Sequence, residues 1–196
     1  MWVRSQYTSE LAVLAAWVSL LVPWNVAYQG DAPAGGTVYF FRFALVELQF
    51  RQPGVLDIGG SSIKATQPLD ATYSGSELAT SLFATTPVGS ATFYEGTLGL
   101  ASILWLLAAL VFLIAFAFSL ALYLRTAQTI ARLPVSEVRL MGALLGVGTL
   151  GVGASSVFQF LERDTVGMPI PIGVFIVGVL SVVLLLTKQV PDADAS

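Results

Sequence analysis

Histidine and cysteine are both absent from this 196-residue chain. That removes the one side chain that titrates near neutral pH unperturbed, the thiolate nucleophile, and the usual ligand sets for zinc, copper, haem and iron–sulfur clusters. No cofactor, no metal site and no catalytic residue is therefore expected, and the chain is not expected to be an enzyme. A disulfide framework is excluded outright. Charge is scarce as well: 11% of the residues are charged, against about 25% in a soluble domain. The formal net charge is −3, and the seven arginines and two lysines, Lys64 and Lys188, form no basic stripe, so nucleic acid is not an expected partner.

What fills the chain instead is apolar, 56% of it. So little polar surface cannot cover that much apolar mass in water, and the lipid bilayer is the expected partner. Gaps between charges place the spans. Glu10 to Asp31 encloses 20 uncharged residues, Glu95 to Arg125 encloses 29, Arg139 to Glu162 encloses 22 and Asp164 to Lys188 encloses 23. About 20 helical residues cross a hydrocarbon core of ~30 Å. The expected fold is thus an all-α membrane protein with four transmembrane helices, over 9–28, 96–124, 140–161 and 169–187. An extracytoplasmic subdomain containing β-structure occupies 29–95, a cytoplasmic loop 125–139, an outer loop 162–168 and a cytoplasmic tail 188–196.

Orientation follows from Arg125, Arg132 and Arg139 in one short loop against Arg163 alone in the other. The arginine-rich loop is cytoplasmic by the positive-inside rule, and alternation puts both termini there in a multi-pass protein of the cell membrane. A cleaved signal peptide is the rival reading of the first segment, opposed by Pro33 between Ala32 and Ala34 and by Glu10 ahead of the apolar run. Pro23-Trp24-Asn25 suits the outer end of a retained helix.

In the outer segment, Val38 to Phe43 is rich in strand formers, and Val55–Ile58, Gly59-Gly60 and Ser61–Lys64 read as a hairpin on a two-residue turn. A small antiparallel meander is expected. Its rival is an interfacial helix, because Tyr39, Phe43, Val46 and Phe50 also recur at helical spacing. Ser76-Glu77-Leu78 with Leu82 and Phe83 reads as one short capped helix, and Met168-Pro169-Ile170-Pro171-Ile172 as the start of the last helix.

Two groups of residues stand out as candidates. Gly142 with Gly146, and Gly151 with Ser155, repeat the four-residue small-residue spacing that lets helices approach closely in lipid, either inside one chain or between copies. Tyr39, Phe40, Phe41, Arg42, Phe43, Phe50 and Arg51 concentrate more aromatic area than a small sheet with one inner face can bury. They form a candidate partner surface, with Arg42 or Arg51 at its rim, or else an aromatic belt at the bilayer headgroups. Asn25, Ser102, Ser119, Ser155, Ser156 and Gln159 are candidates for bonds between helices, with Asn25 and Gln159 expected at solvated outer positions. The scattered carboxylates Glu47, Asp57, Asp70 and Glu77 have neither calcium-loop nor paired-acid spacing and are expected to face water.

The opening Met1-Trp2-Val3-Arg4-Ser5-Gln6-Tyr7, Glu10-Leu11-Ala12-Val13-Leu14, Pro23-Trp24-Asn25-Val26 and the aromatic run from Phe40 to Arg51 resemble uncharacterised four-helix integral membrane proteins of halophilic archaea. That resemblance implies a haloarchaeal cell membrane and no assigned activity. The expected function is a structural or accessory membrane component that presents its outer aromatic-rich subdomain to a membrane protein partner or to the membrane surface. The alternative is a transport or channel subunit working as a homo-oligomer; against a pump stands the absence of charge within all four apolar intervals.

Overall fold

Alternating apolar and polar residues, not helical periodicity, govern the stretch between the first and second apolar helices. The computed structural model describes residues 8–32, 36–52, 54–58, 61–65, 76–79, 82–130 and 136–187. In chain order these form α1 (Thr8–Leu21), β1 (Asn25–Ala32), β2 (Gly36–Arg42), β3 (Glu47–Gln52), β4 (Gly54–Ile58), β5 (Ser61–Ala65), β6 (Ser76–Ala79), β7 (Leu82–Thr85), α2 (Pro87–Phe93), α3 (Gly96–Ile130), α4 (Glu137–Leu161), α5 (Arg163–Val166), β8 (Met168–Ile170) and α6 (Ile172–Leu186).

A six-stranded antiparallel sheet runs in the order β6-β7-β3-β2-β1-β8, and β4 pairs with β5 in a ladder of their own. This overturns the all-α expectation, and with it the four transmembrane helices. Among the described residues, only α3 over 96–124 and α4 are long and apolar enough to cross a bilayer. Helices α1 and α6 have 14 and 15 residues, about 21–23 Å, short of the ~30 Å hydrocarbon thickness. Both are short because neighbouring residues extend as strands: 25–32 pairs with β2 on one side and with 168–170 on the other. A gap between charges does not distinguish the two backbones.

Three local readings change with it. Pro23-Trp24-Asn25 leads from α1 into β1 and does not end a longer helix. The stretch read as a short capped helix is instead β6 and β7; in β7 Phe83 and Thr85 turn inward and Leu82 and Ala84 outward, a period of two. The cap lies further on, where the Thr86 hydroxyl accepts from the Gly89 N–H and Pro87 opens α2. Met168–Ile170 is a strand, and the last helix begins only at Ile172. The rival interfacial helix across 39–50 is excluded by the β2–β3 ladder, in which Tyr39 faces Phe50 and Arg42 faces Glu47.

Helices α1, α3, α4 and α6 pack together with α2 against α3. Their contacts use small residues. α1 buries Ala12, Ala15, Ala16 and Ser19 while exposing Leu14, Trp17 and Leu21. The larger core side chains, Trp105, Phe112, Met141, Leu145 and Leu184, come from α3, α4 and α6. Two indoles tie this helical layer to the sheet: Trp24 Nε1 donates to Phe43 O at 2.9 Å, and Trp105 Nε1 to Phe43 O and Ala44 O at 3.0 Å each. Both grip the turn between β2 and β3.

Candidate functional site

The sheet buries polar residues on its inner face beside the apolar Ala27, Val38 and Phe40, and its outer face is apolar. Register and alternation put Asn25, Arg42, Glu47 and Thr85 in one row across the inner face, with Gln49 and Arg51 beside them on β3, and every one of these is buried. The outer face carries two apolar rows. One is Ile170, Val26, Phe41, Leu48 and Ala84; the other is Met168, Tyr28, Tyr39, Phe50 and Leu82. Tyr28 packs on Tyr39 at 5.3 Å between ring centroids and Phe41 edge-on to Phe50 at 5.6 Å. Even so, Tyr28, Phe50, Met168 and Ile170 are 51%, 42%, 58% and 53% exposed.

The inner polar groups form a ladder. Arg42 Nε donates to Glu47, whose other oxygen accepts from Gln49 Nε2; Gln49 Oε1 in turn accepts from Arg51 Nη2 at 2.9 Å. The guanidinium groups lie over rings, Arg42 over Phe40 at 4.9 Å and Arg51 over Phe83 at 3.9 Å. From β1, Asn25 Nδ2 donates to Gln159 Oε1 at 2.9 Å and to Ser156 Oγ at 3.4 Å. Gln159 Nε2 passes on to Ser155 Oγ at 3.3 Å, and Ser155 to the Ala101 carbonyl at 2.8 Å. One chain of hydrogen bonds therefore links sheet, α4 and α3. Asn25 and Gln159 are buried here, not solvated.

Between the layers lies a cavity that offers about 10 Å³ to the centre of a water molecule. Arg42, Glu47, Ser90, Tyr94, Ser102 and Gln159 supply its polar lining. The Ser90 and Ser102 hydroxyls meet at 2.8 Å, and Ser102 also donates to Leu98 O. Among the described residues no three acidic side chains gather as a metal site.

The candidate residues divide by face. Tyr39, Phe41 and Phe50 belong to the outer surface; Phe40, Arg42 and Arg51 are buried on the inner one, so neither arginine rims the aromatic patch. Phe43 lies in the turn, where its carbonyl accepts both indoles. The glycines divide by partner. A Cβ on Gly142 would meet Leu184 Cβ at 3.0 Å, and one on Gly146 would meet Ser181 Oγ at 2.8 Å, both on α6. One on Gly151 would meet Ala108 Cβ of α3 at 2.9 Å, and Ser155 bonds the same helix. Of the outer carboxylates, Glu47 is buried in the ladder, contrary to its expected contact with water; the side chains of Asp57, Asp70 and Glu77 lie outside the described residues, as do the structures of 1–7 and 188–196. Composition concealed Glu47. What could have found it is the four-residue turn that sets it opposite Arg42.

No curated protein matches the sequence. Residues 1–189 match a family of unknown function, DUF7549, and the chain belongs to that family.

Proposed function

We propose that this member of DUF7549 is a membrane-embedded structural or accessory protein whose sheet lays its apolar outer face on the membrane surface. The apolar outer face of the sheet carries the reading. A sheet in water turns its polar face out; here the outward face is Met168, Tyr28, Tyr39 and Phe50 in one row and Ile170, Val26, Phe41 and Leu48 in the next. The apolar exterior continues from β8 into α6, through the exposed Ile170, Ile172 and Phe175. Lipid covering α6 would reach the edge of the sheet without a break.

In this reading α3 and α4 are the spanning pair, with α1 and α6 packed along them. Large exposed and small buried residues on α1 suit helices that associate by close contact in lipid. The end carrying Arg125, Arg132 and Arg139 is cytoplasmic and the sheet lies on the other side. Burying the exposed halves of Tyr28, Phe50, Met168 and Ile170 would contribute about 3–6 kcal/mol, taking ~1.5–3 kcal/mol for each fully buried large side chain. The resemblance of residues 1–51 to proteins of halophilic archaea supports a setting of concentrated salt. Apolar area then matters more than charge, because the Debye length is ~3 Å at 1 M.

Nitroxide labels test the proposal, since the chain has no native thiol. Cysteines replacing Phe50 and Met168, labelled and reconstituted in bilayers, should be accessible to oxygen and shielded from a water-soluble nickel complex. A label replacing the exposed Glu95 should show the reverse. Equal accessibility of all three positions to the nickel complex would overturn the reading.

A further inference from the structure

We propose that a groove between α1 and α3, at the end of α1 remote from the sheet, binds one membrane lipid with an uncharged, hydroxyl-bearing head group, a glycolipid in chemical class. The inference rests on the membrane-embedded reading above. Trp17 of α1 meets Phe116 of α3 edge-on, with 4.9 Å between ring centroids. From there toward the start of α1 a groove of about 500 Å³ opens between the two helices, within the ~300–1,000 Å³ typical of ligand clefts.

Its polarity is graded like that of a lipid. Val13, Leu14, Trp17 and Leu122 supply apolar walls, and Ser9, Glu10 and Tyr123 the polar groups. Ser9 and Glu10 lie in the first turn of α1, and Trp17 lies two turns further, about 10–12 Å along the axis. A hydrocarbon chain along the walls would set its head group at that first turn. Ser9 bonds there to Glu137, which opens α4 near Arg139, so in the proposed orientation the head group sits at the cytoplasmic surface. A protein occupant fits less well: a stable interface needs about 1,000 Å² or more, and a groove two helical turns long offers only a fraction of that.

The polar groups select the head group. Ser9 Oγ donates its proton to Glu137 Oε1 at 3.1 Å, which leaves it lone pairs to offer. The Glu10 carboxylate only accepts, and the Tyr123 phenol can accept as well. Glu10 is also the one charged side chain among the described residues of the lining. An occupant must therefore bring donors and no negative charge, which disfavours an anionic phosphate head group. An ammonium concentrates its donors at one point, whereas these acceptors belong to two helices. A sugar ring spreads several hydroxyls over that distance and carries no charge.

Native mass spectrometry of the full chain, released from detergent, tests the site with three chain-matched probes in equal amounts: monogalactosyl diacylglycerol, phosphatidylglycerol and phosphatidylethanolamine. One galactolipid per chain should be retained in excess over the other two. An excess of phosphatidylethanolamine would overturn the proposal in favour of an ammonium site, and an excess of phosphatidylglycerol or no preference would overturn it outright. Glu10→Gln should cut the excess over phosphatidylglycerol by about two- to fivefold, the range of an exposed charge interaction; an unchanged ratio would refute the assignment of Glu10. Val13→Trp fills the groove and should abolish retention, whereas undiminished retention would place the lipid elsewhere. If Val13→Trp does not fold, Glu10→Gln, at an exposed position, decides. Flotation with liposomes separates this inference from the reading beneath it: a chain that floats but retains no galactolipid refutes the groove alone, and one that does not float refutes both.

Discussion

Gly173, in the first turn of α6, sits against the backbone that leads from α1 into β1. A Cβ there would lie 2.5 Å from Pro23 O, 2.6 Å from Trp24 Cα and 2.9 Å from Pro23 C. These are main-chain atoms and cannot rotate aside. To restore ordinary contact, Trp24 Cα would have to retreat to 3.4 Å or more, and Trp24 is held by its N–H to Arg42 O at 2.8 Å and its indole to Phe43 O at 2.9 Å. Gly173→Ala is therefore expected to cost at least the ~1–3 kcal/mol typical of overpacking. Gly178→Ala, in the same helix, would meet only Thr149 Cγ2 at 3.6 Å. It should be neutral or gain up to about 0.8–1.0 kcal/mol of helix propensity. The gap between the two variants, about 1–4 kcal/mol, corresponds to about 2–16 °C in melting temperature for a chain of this size. Thermal unfolding in detergent measures it, with near-ultraviolet circular dichroism reporting on Trp24. If Gly173→Ala melts no lower than Gly178→Ala, α6 does not abut Pro23-Trp24, and the attachment of the sheet to the helices is not as described.

Two further outcomes follow from the buried ladder and the proposed orientation. Glu47→Leu leaves the Arg42 guanidinium buried without its carboxylate and should lower stability by about 3–5 kcal/mol, whereas Arg42→Met with Glu47→Leu should restore much of that loss; denaturant or thermal unfolding of both variants checks the pair, and equal losses would mean the ion pair is not the operative interaction. Cysteines replacing the exposed Glu95 and Arg139 should label from opposite sides of the membrane. An impermeant maleimide on intact cells is expected to reach position 95 alone, and labelling at 139 would contradict the proposed orientation.

The apolar excess and the positions of Glu95, Arg125, Arg139 and Glu162 are enough to locate the stretches that α3 and α4 occupy. The β4–β5 ladder is equally legible, because Ile58 faces Ser61 as the hairpin reading requires. What sequence reasoning misses is long-range. β8 owes its extended backbone to β1: Tyr28 pairs with Met168 across most of the chain, and nothing local in 168–170 demands a strand. Counting uncharged residues therefore lengthened the first and last helices at the expense of the sheet. The division of Tyr39-Phe40-Phe41-Arg42 between two faces was legible as alternation, but not which face turns inward. Hydropathy favours burying the rings, whereas the fold buries Arg42, Glu47, Gln49 and Arg51 beside Phe40 and Phe83 and leaves Tyr28 and Phe50 exposed. Local composition cannot report that choice, because it depends on Asn25 and Gln159 meeting from positions 134 residues apart.

Photo-cross-linking in native membranes tests most directly whether the outer face of the sheet meets lipid. A benzophenone side chain placed at Phe50, and separately at Met168, samples the far and near parts of that face. Irradiation should join both positions to lipid, seen by mass spectrometry as adducts of lipid mass on the intact chain. A discrete protein adduct at either position, or no adduct at both, would contradict it.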